Sequence, residues 1–319
     1  MSKRCYSFSL FHLFTFLPFY LFTFSILMHV SCIGRQEATQ FEADTTAVDT
    51  TVLRVAVMPA MSCLPVFYAE RSGLADSLDL PMKLLRYQAQ MDIDTAILRG
   101  HVDIAFTDLI RCTRLSKQVA LTPFLSCDEP LSLISLKTKR VKRINQMKEQ
   151  MIAVSRLSAT DYWCDRLLDS TRTSYDDIYR PQVNDVRLRA EMLRQGLIDA
   201  AMMGEPYATW MTMLGHKRLF QSKGKKPCLY AWAARSSATE QQKEAFSGML
   251  KTAIDLMEKD SYTVCCILKE DYQLPAEAVD SMTLQPLSMP SAIHESDRKT
   301  AEEWTIKKKT KTIYNLNND

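Results

Sequence analysis

Two acidic residues follow short apolar runs at matching places in the chain, Asp108 after Ile104-Ala105-Phe106-Thr107 and Glu205 after Met202-Met203-Gly204. Two carboxylates facing each other across a gap can hold an amine or a ring N–H. Each could equally cap the helix that follows it, because a side-chain oxygen there accepts a hydrogen bond from a free backbone N–H. Ser158-Ala159-Thr160-Asp161 offers a second chemistry. It has the form of a capping box, and a helix starting directly after a strand presents unpaired N–H groups and a positive dipole end that suit an anion. One feature favours a cation or N–H donor and the other an anion, and the sequence does not choose between them.

Catalytic constellations are absent from the sequence. Of its five histidines, His12 and His29 fall in the leading apolar run, and His101 beside Gly100 reads as a surface loop residue. There is no Gly-x-Ser-x-Gly, no His-Glu-x-x-His and no phosphate loop. No zinc-ligand spacing occurs among the nine cysteines. The expectation is therefore a binding protein without catalysis, cofactor or metal.

The elements that must position these residues repeat. Gly100 to Gly196 and Asp103 to Asp199 are both separated by 96 residues, and the run at Val55 is echoed at Ile152, 97 residues on. Each glycine ends a helical pattern and precedes a strand carrying the aspartate. Around them, strands are expected at 52–58, 81–87 and 102–106, with helices at 64–71 (Pro65 in the first turn, Gly73 after the end), 92–99 and 109–117. A second set follows: strands at 151–155, 179–183 and 198–202, helices at 163–168, 185–195 and 207–214. Strand–helix alternation of this kind gives a mostly parallel sheet covered by helices. Strands at 119–125 and 131–136 would carry the chain between two lobes, and 228–234 would bring it back. Ser237 to Glu240 reads as another capping box, opening a helix with a core stripe from Phe246 to Met257. Shorter helices at 263–271 and 275–281 and one more near Trp304 complete the chain. The domain plan is thus lobe 1 at 52–130, crossings and lobe 2 at 131–235, and C-terminal helices packing back on lobe 1, with a polar tail, at 236–319. In open α/β sheets ligands sit beyond the carboxyl ends of the strands. That rule selects Met61, Ser62, Tyr87, Gln88, Thr107, Asp108, Ser158, Thr160, Glu205 and Tyr207 as ligand-contacting candidates, with Asp103 and Asp199 as structural residues.

Leu64-Pro65-Val66-Phe67-Tyr68-Ala69-Glu70 with Gly73, then Ala96 to Ala105 with Gly100 and Asp103, and the Glu205-Pro206 step after a strand, together resemble the type II periplasmic solute-binding proteins of ABC importers. The branch is the one serving nitrate, sulfonates, taurine and thiamine-type pyrimidines, and the likeness covers roughly residues 52 to 260. It implies a two-lobed α/β fold with hinge crossings, a small-molecule ligand between the lobes, ABC permease subunits as partners and a monomeric state. The alternative function is an exported enzyme or biosynthetic relative on the same fold, acting on a small heterocycle or carboxylate.

The N-terminus places this chain outside the cytoplasm. Lys3 and Arg4 precede an apolar run from Cys5 to Val30, then Ser31-Cys32, which describes a secretory signal at 1–31. The cysteine after a small residue resembles a lipobox, with Cys32 as the lipidated residue, although His29 stands where the pattern usually has Leu. An uncleaved anchor is the other reading, since the run is long enough to span a bilayer. Polar residues through 51 form a tether. The expected location is the periplasmic face of a bacterial membrane. A net charge of +3 with interspersed signs gives no reason to expect nucleic acid.

Overall fold

The fold is taken from a computed structural model and is described for residues 52–316. The expected signal, Cys32 and the tether lie outside the described residues. The chain opens with β1 (Leu53–Val57), α1 (Leu64–Arg71), α2 (Leu74–Ser77), β2 (Met82–Arg86), α3 (Gln90–Arg99), β3 (Ile104–Asp108) and α4 (Leu109–Leu115). β4 (Leu121–Cys127) leads through residues 128–130 to β5 (Leu131–Ser135). Then come β6 (Ile152–Ala153), α5 (Ala159–Thr171), α6 (Val186–Arg194), β7 (Ala200–Gly204), α7 (Tyr207–Met213) and β8 (Lys217–Gln221). A second crossing, 222–229, returns to β9 (Tyr230–Arg235), followed by α8 (Glu240–Met257), α9 (Ser261–Glu270), α10 (Ala276–Ser281) and α11 (Glu295–Leu316).

The strands form two sheets, β2-β1-β3-β9-β4 and β6-β7-β5-β8. The α/β architecture is the expected one, and both sheets are mixed. β1 pairs in parallel with β2 and β3, and β6 with β7, whereas the strands next to the crossings (β4, β5, β8, β9) pair antiparallel. β1 and β3 read as near-continuous apolar runs because helices cover both sheet faces. Phe106, Trp232 and Phe246 anchor the first core, Trp232 meeting Phe246 edge-on at 5.0 Å. The start of β5, directly after the first crossing, hydrogen-bonds to the second crossing: Leu131 N donates to Ser222 Oγ at 2.9 Å, and Ser222 N to Leu131 O at 2.8 Å.

The repeated joint has the same mechanics in both lobes. Gly100 and Gly196 end their helices in the left-handed region, at φ +75° and +74°, which a side chain would strain. Asp103 Oδ2 accepts the backbone N–H of Arg54 at 2.9 Å, and Asp199 Oδ2 accepts that of Met151 at 2.8 Å. Each aspartate thus ties the strand after the glycine to the first strand of its own lobe. The partners differ. Asp103 also takes a forked Arg54 guanidinium and Ser237 Oγ, and these bonds outweigh the upward push of burial and hold its carboxyl below the usual range. Asp199 pairs with the half-exposed Lys139 at 2.8 Å.

Several local details depart from expectation. Residues 179–183 run extended beside β6, with isolated bridges at Tyr179 and Gln182, while the polar edge strand β8 has no clear sequence signal. The capping box near 239 joins Thr239 to Gln242, two residues later than Ser237 to Glu240. At α5, Ser158 caps as expected, but Asp161 accepts from Leu157 N at 3.0 Å, so the reciprocal half of the box is made one residue earlier. The C-terminal segment, expected to pack on lobe 1, also spans lobe 2: α11 lies along α4, while Trp304 Nε1 donates to Asp165 of α5 at 3.0 Å. The seven described cysteines are free thiols.

The asymmetry of the two joints predicts an order of stabilities. Asp103→Ala leaves the partly buried Arg54 fork without its carboxylate and should cost about 3 kcal/mol. Asp199→Ala loses one backbone bond and one exposed pair and should cost about 1 kcal/mol. Chemical denaturation of the two variants measures this, and an equal or reversed order contradicts it.

Candidate functional site

Between the sheets lies a cavity with a free volume of about 50 Å³, lined by many polar and ionisable side chains. One water occupies roughly 10–15 Å³ by this measure, so the space suits a small head group or a few waters. Its first wall is the end of β1 (Met58, Pro59, Ala60), the β3 residues Phe106 and Asp108, Gln90 and Arg111. The opposite wall is Ser155, Ser158 and Thr160 at the start of α5, Asn184, Val186 and Arg189 around α6, Gly204 at the end of β7 and Glu205 after it. Glu129 enters from the first crossing and Tyr230 from β9.

Asp108 connects the two walls. Its Oδ1 caps its own helix by accepting Arg111 N at 2.9 Å, and its Oδ2 accepts Ala159 N at 3.3 Å at the start of α5. The positive helix end expected to draw an anionic ligand therefore holds a carboxylate from the other lobe. Arg111 makes a second link, with Nη2 donating to Ser155 Oγ at 2.7 Å and Nη1 to Asp94. Its Nε lies 3.5 Å from Asp108 Oδ2 without a hydrogen-bond partner. Burial raises the Asp108 carboxyl pKa against the pull of Arg111, and pushes Asp94 up to about 6. Ser155 orders the rest of the turn: its carbonyl accepts from Ser158 Oγ at 2.6 Å and Thr160 Oγ1 at 3.1 Å.

Glu205 also caps, accepting Thr209 N at 2.8 Å, and it pairs with Arg218 at 2.9 Å. Both carboxylates singled out from sequence thus act as caps while lining the cavity. Arg189 is different. It is buried, its Nε and Nη2 donate to Val183 O at 2.9 and 2.6 Å, and Nη1 donates to Met202 O. Among the described residues no carboxylate lies within ion-pair distance, and burial lowers its pKa to about 10. Glu129 is likewise buried. Its Oε2 accepts Ser62 N and Oγ, both at 2.8 Å, while Oε1 has no partner. Burial raises its pKa to about 7.

Of the ten candidates, Asp108, Ser158, Thr160 and Glu205 line this cavity. Ser62 stands behind it, holding Glu129. Thr107 alternates with Phe106 and Asp108 along β3 and is fully buried on the other face. Tyr207 is fully buried and its hydroxyl donates to Tyr272 O at 2.7 Å. Tyr87 and Gln88 follow β2, the outermost strand of its sheet, and do not line the cavity. Met61 faces a separate groove with Leu64, Ile254, Met257 and residues 284–287, roomier at about 240 Å³ but mostly apolar. Sequence reasoning missed Arg111, Glu129, Ser155, Asn184, Arg189 and Tyr230. Arg189 did carry a signal, an arginine at helical spacing between Val186 and Leu193 on the apolar face of α6.

Glu129 gives a pH prediction. Its folded pKa, about 7, lies above the ordinary 4.5, so its contribution to stability is full below about pH 4.5 and is lost as pH rises through 7. Glu129→Gln keeps the shape and cannot ionise. The variant should exceed the native chain in stability at pH 8, by an amount on the order of 2 kcal/mol, with the advantage falling to about a quarter of that by pH 5. Melting curves at the two pH values check this, and a constant difference contradicts it.

No family model matches the sequence, and no curated protein matches it. Solved structures do resemble the fold. The alkanesulfonate-binding protein of Xanthomonas axonopodis pv. citri, bound to MOPS, superposes with a TM-score of 0.68 at 17% identity, covering 79% of this chain and 90% of that one. The periplasmic aliphatic sulphonate-binding protein of Escherichia coli gives 0.68 at 14% identity over 82% and 93%. The periplasmic nitrate-binding protein of Synechocystis gives 0.62 at 11% identity over 81% and 80%. At these identities the likeness is one of fold: the chain has the two-lobed α/β fold of the periplasmic solute-binding proteins.

Proposed function

We propose that this chain captures a small polar solute between its lobes and delivers it to the permease subunits of an ABC importer, as a monomer held by a lipid on Cys32 at the periplasmic face of a bacterial membrane. The observation that carries this reading is the cavity itself. Both lobes and a crossing contribute buried ionisable groups to it, and two of them, Arg111 at Nε and Glu129 at Oε1, keep hydrogen-bonding capacity that no atom of the described residues uses. The links from Asp108 and Arg111 to α5 and Ser155 are of the kind that form when two lobes close on a ligand. Structural neighbours whose names state sulfonate and nitrate binding support a small polar solute. Of the ten candidates, Asp108, Ser158, Thr160 and Glu205 are the residues assigned to the ligand; Met61, Ser62, Tyr87, Gln88, Thr107 and Tyr207 act behind the wall or elsewhere.

Thermal unfolding of the full-length chain in detergent, screened against sulfonates, nitrate, phosphonates, pyrimidines and small amines, tests solute capture. A ligand at a hundred times its Kd stabilises by about 2.7 kcal/mol, a shift of roughly 5 °C for a chain of this size. No shift with any compound sinks the reading, and turnover of a binding compound moves the case to the enzyme alternative. The anchor is tested separately. Cells fed labelled palmitate should label the native chain and not Cys32→Ser, which should leave the membrane fraction; equal labelling of the two contradicts lipidation at Cys32.

A further inference from the structure

The cavity has two ends of opposite character. At one end, Arg189 brings a buried guanidinium whose hydrogen bonds go only to carbonyls, and Arg111 leaves its Nε without a hydrogen bond. A buried cation without an anionic partner is costly unless something supplies one. At the other end is Glu129, 7% exposed, with Oε1 unpartnered. That oxygen is packed against Gly204, where a Cβ would stand 2.8 Å from it, so only a glycine leaves room for the unpartnered carboxyl oxygen in this part of the wall. The ionisable groups that face Glu129 are all acids: Glu205 across the cavity, Cys63 and Cys127 behind it, Tyr272 from the C-terminal helices and Tyr230 from β9. Among the described residues no cation pairs with it.

Tyr230 lines the same cavity and is within electrostatic reach of Glu129 and Asp108 and of Arg189 and Arg111. Its ring stacks on Phe106 at 5.4 Å with 2° between the planes, giving a flat apolar floor for a short carbon spacer.

We propose that Glu129 is the specificity-determining residue of the site: it receives a donor nitrogen while Arg111 and Arg189 hold an acidic group, so that the solute is a small zwitterion. This rests on the solute-capture reading and deepens it. It also reconciles the opposed demands for an anion and for an N–H donor, because one ligand meets both. Burial leaves the Glu129 carboxyl partly protonated near neutrality. An ammonium group docking on Oε1 favours the carboxylate, and the displaced proton passes to the buffer, so capture is proton-linked.

Titration calorimetry on the full-length chain in detergent tests this with two matched pairs, 2-aminoethanesulfonate against ethanesulfonate and β-alanine against propionate. In at least one pair the amino compound should bind about tenfold tighter or more, the scale of one charge-assisted hydrogen bond; the better pair identifies the acidic group. Its binding heat at pH 7 should differ between phosphate and Tris, reporting proton release, and its advantage should grow from pH 6.5 to 8.5, a window above the titration of Asp94 near 6. Glu129→Gln, with folding checked by circular dichroism, should lose both the preference and the buffer difference. The native comparison stands even if that variant misfolds. Des-amino compounds binding as tightly as their amino partners, or a variant that keeps the preference, overturns the inference and leaves solute capture standing. A panel in which nothing binds overturns the inference and leaves solute capture to the wider thermal screen.

Discussion

The site depends on one carboxylate serving two helices. Asp108 sits at the N-terminus of α4 in the first lobe and accepts the first free N–H of α5 in the second. Unpaired N–H groups at a helix start carry a positive partial charge, so a single buried anion stabilises both ends at once. The arrangement requires β3 and α5 to approach each other, which fixes the distance between the lobes and defines the cavity. Arg111 supports it from the same helix, spanning Asp94 on α3 and Ser155 in the turn before α5.

The cavity's remaining groups follow from that closure. With the start of α5 already occupied, an acidic ligand group finds its positive charge at Arg189, beside an Arg111 that is paired with Asp94 and Asp108 and keeps a hydrogen-bond donor at Nε. Glu205 is neutralised by Arg218, which leaves Glu129 as the wall carboxyl lacking a cation. Isolated buried charge costs stability and persists where binding requires it. The two crossings, tied by the hydrogen bonds of Leu131, at the start of β5, with Ser222, place Glu129 where the lobes join, so that ligand contact and lobe position act on the same segment.

Much of the fold was legible in the sequence. Gly100 and Gly196, with Asp103 and Asp199, marked the same joint twice because a left-handed helix end needs glycine and a strand start needs an acceptor. Apolar runs revealed the covered strands, while β8 stayed hidden because an edge strand with Lys217, Arg218 and Gln221 carries no apolar pattern. The site was only partly legible. Strand-end reasoning reached Asp108 and Glu205 but could not see that β2 lies at the sheet edge, which removed Tyr87 and Gln88. Nor could it see that alternation along β3 turns Thr107 away. Arg189 was readable only as an arginine on the apolar face of α6, while Arg111 lies in a short helix and Glu129 in a crossing, where no periodicity distinguishes a ligand-facing residue from a solvated one.

The most direct test of the account is hydrogen exchange at the amide of Ala159, measured with and without the solute that gives the largest thermal shift. If solute capture closes the lobes through Asp108, protection of residues 158–161 rises markedly when the solute binds. Unchanged exchange there, with new protection appearing instead around residues 284–288, would contradict a site between the lobes.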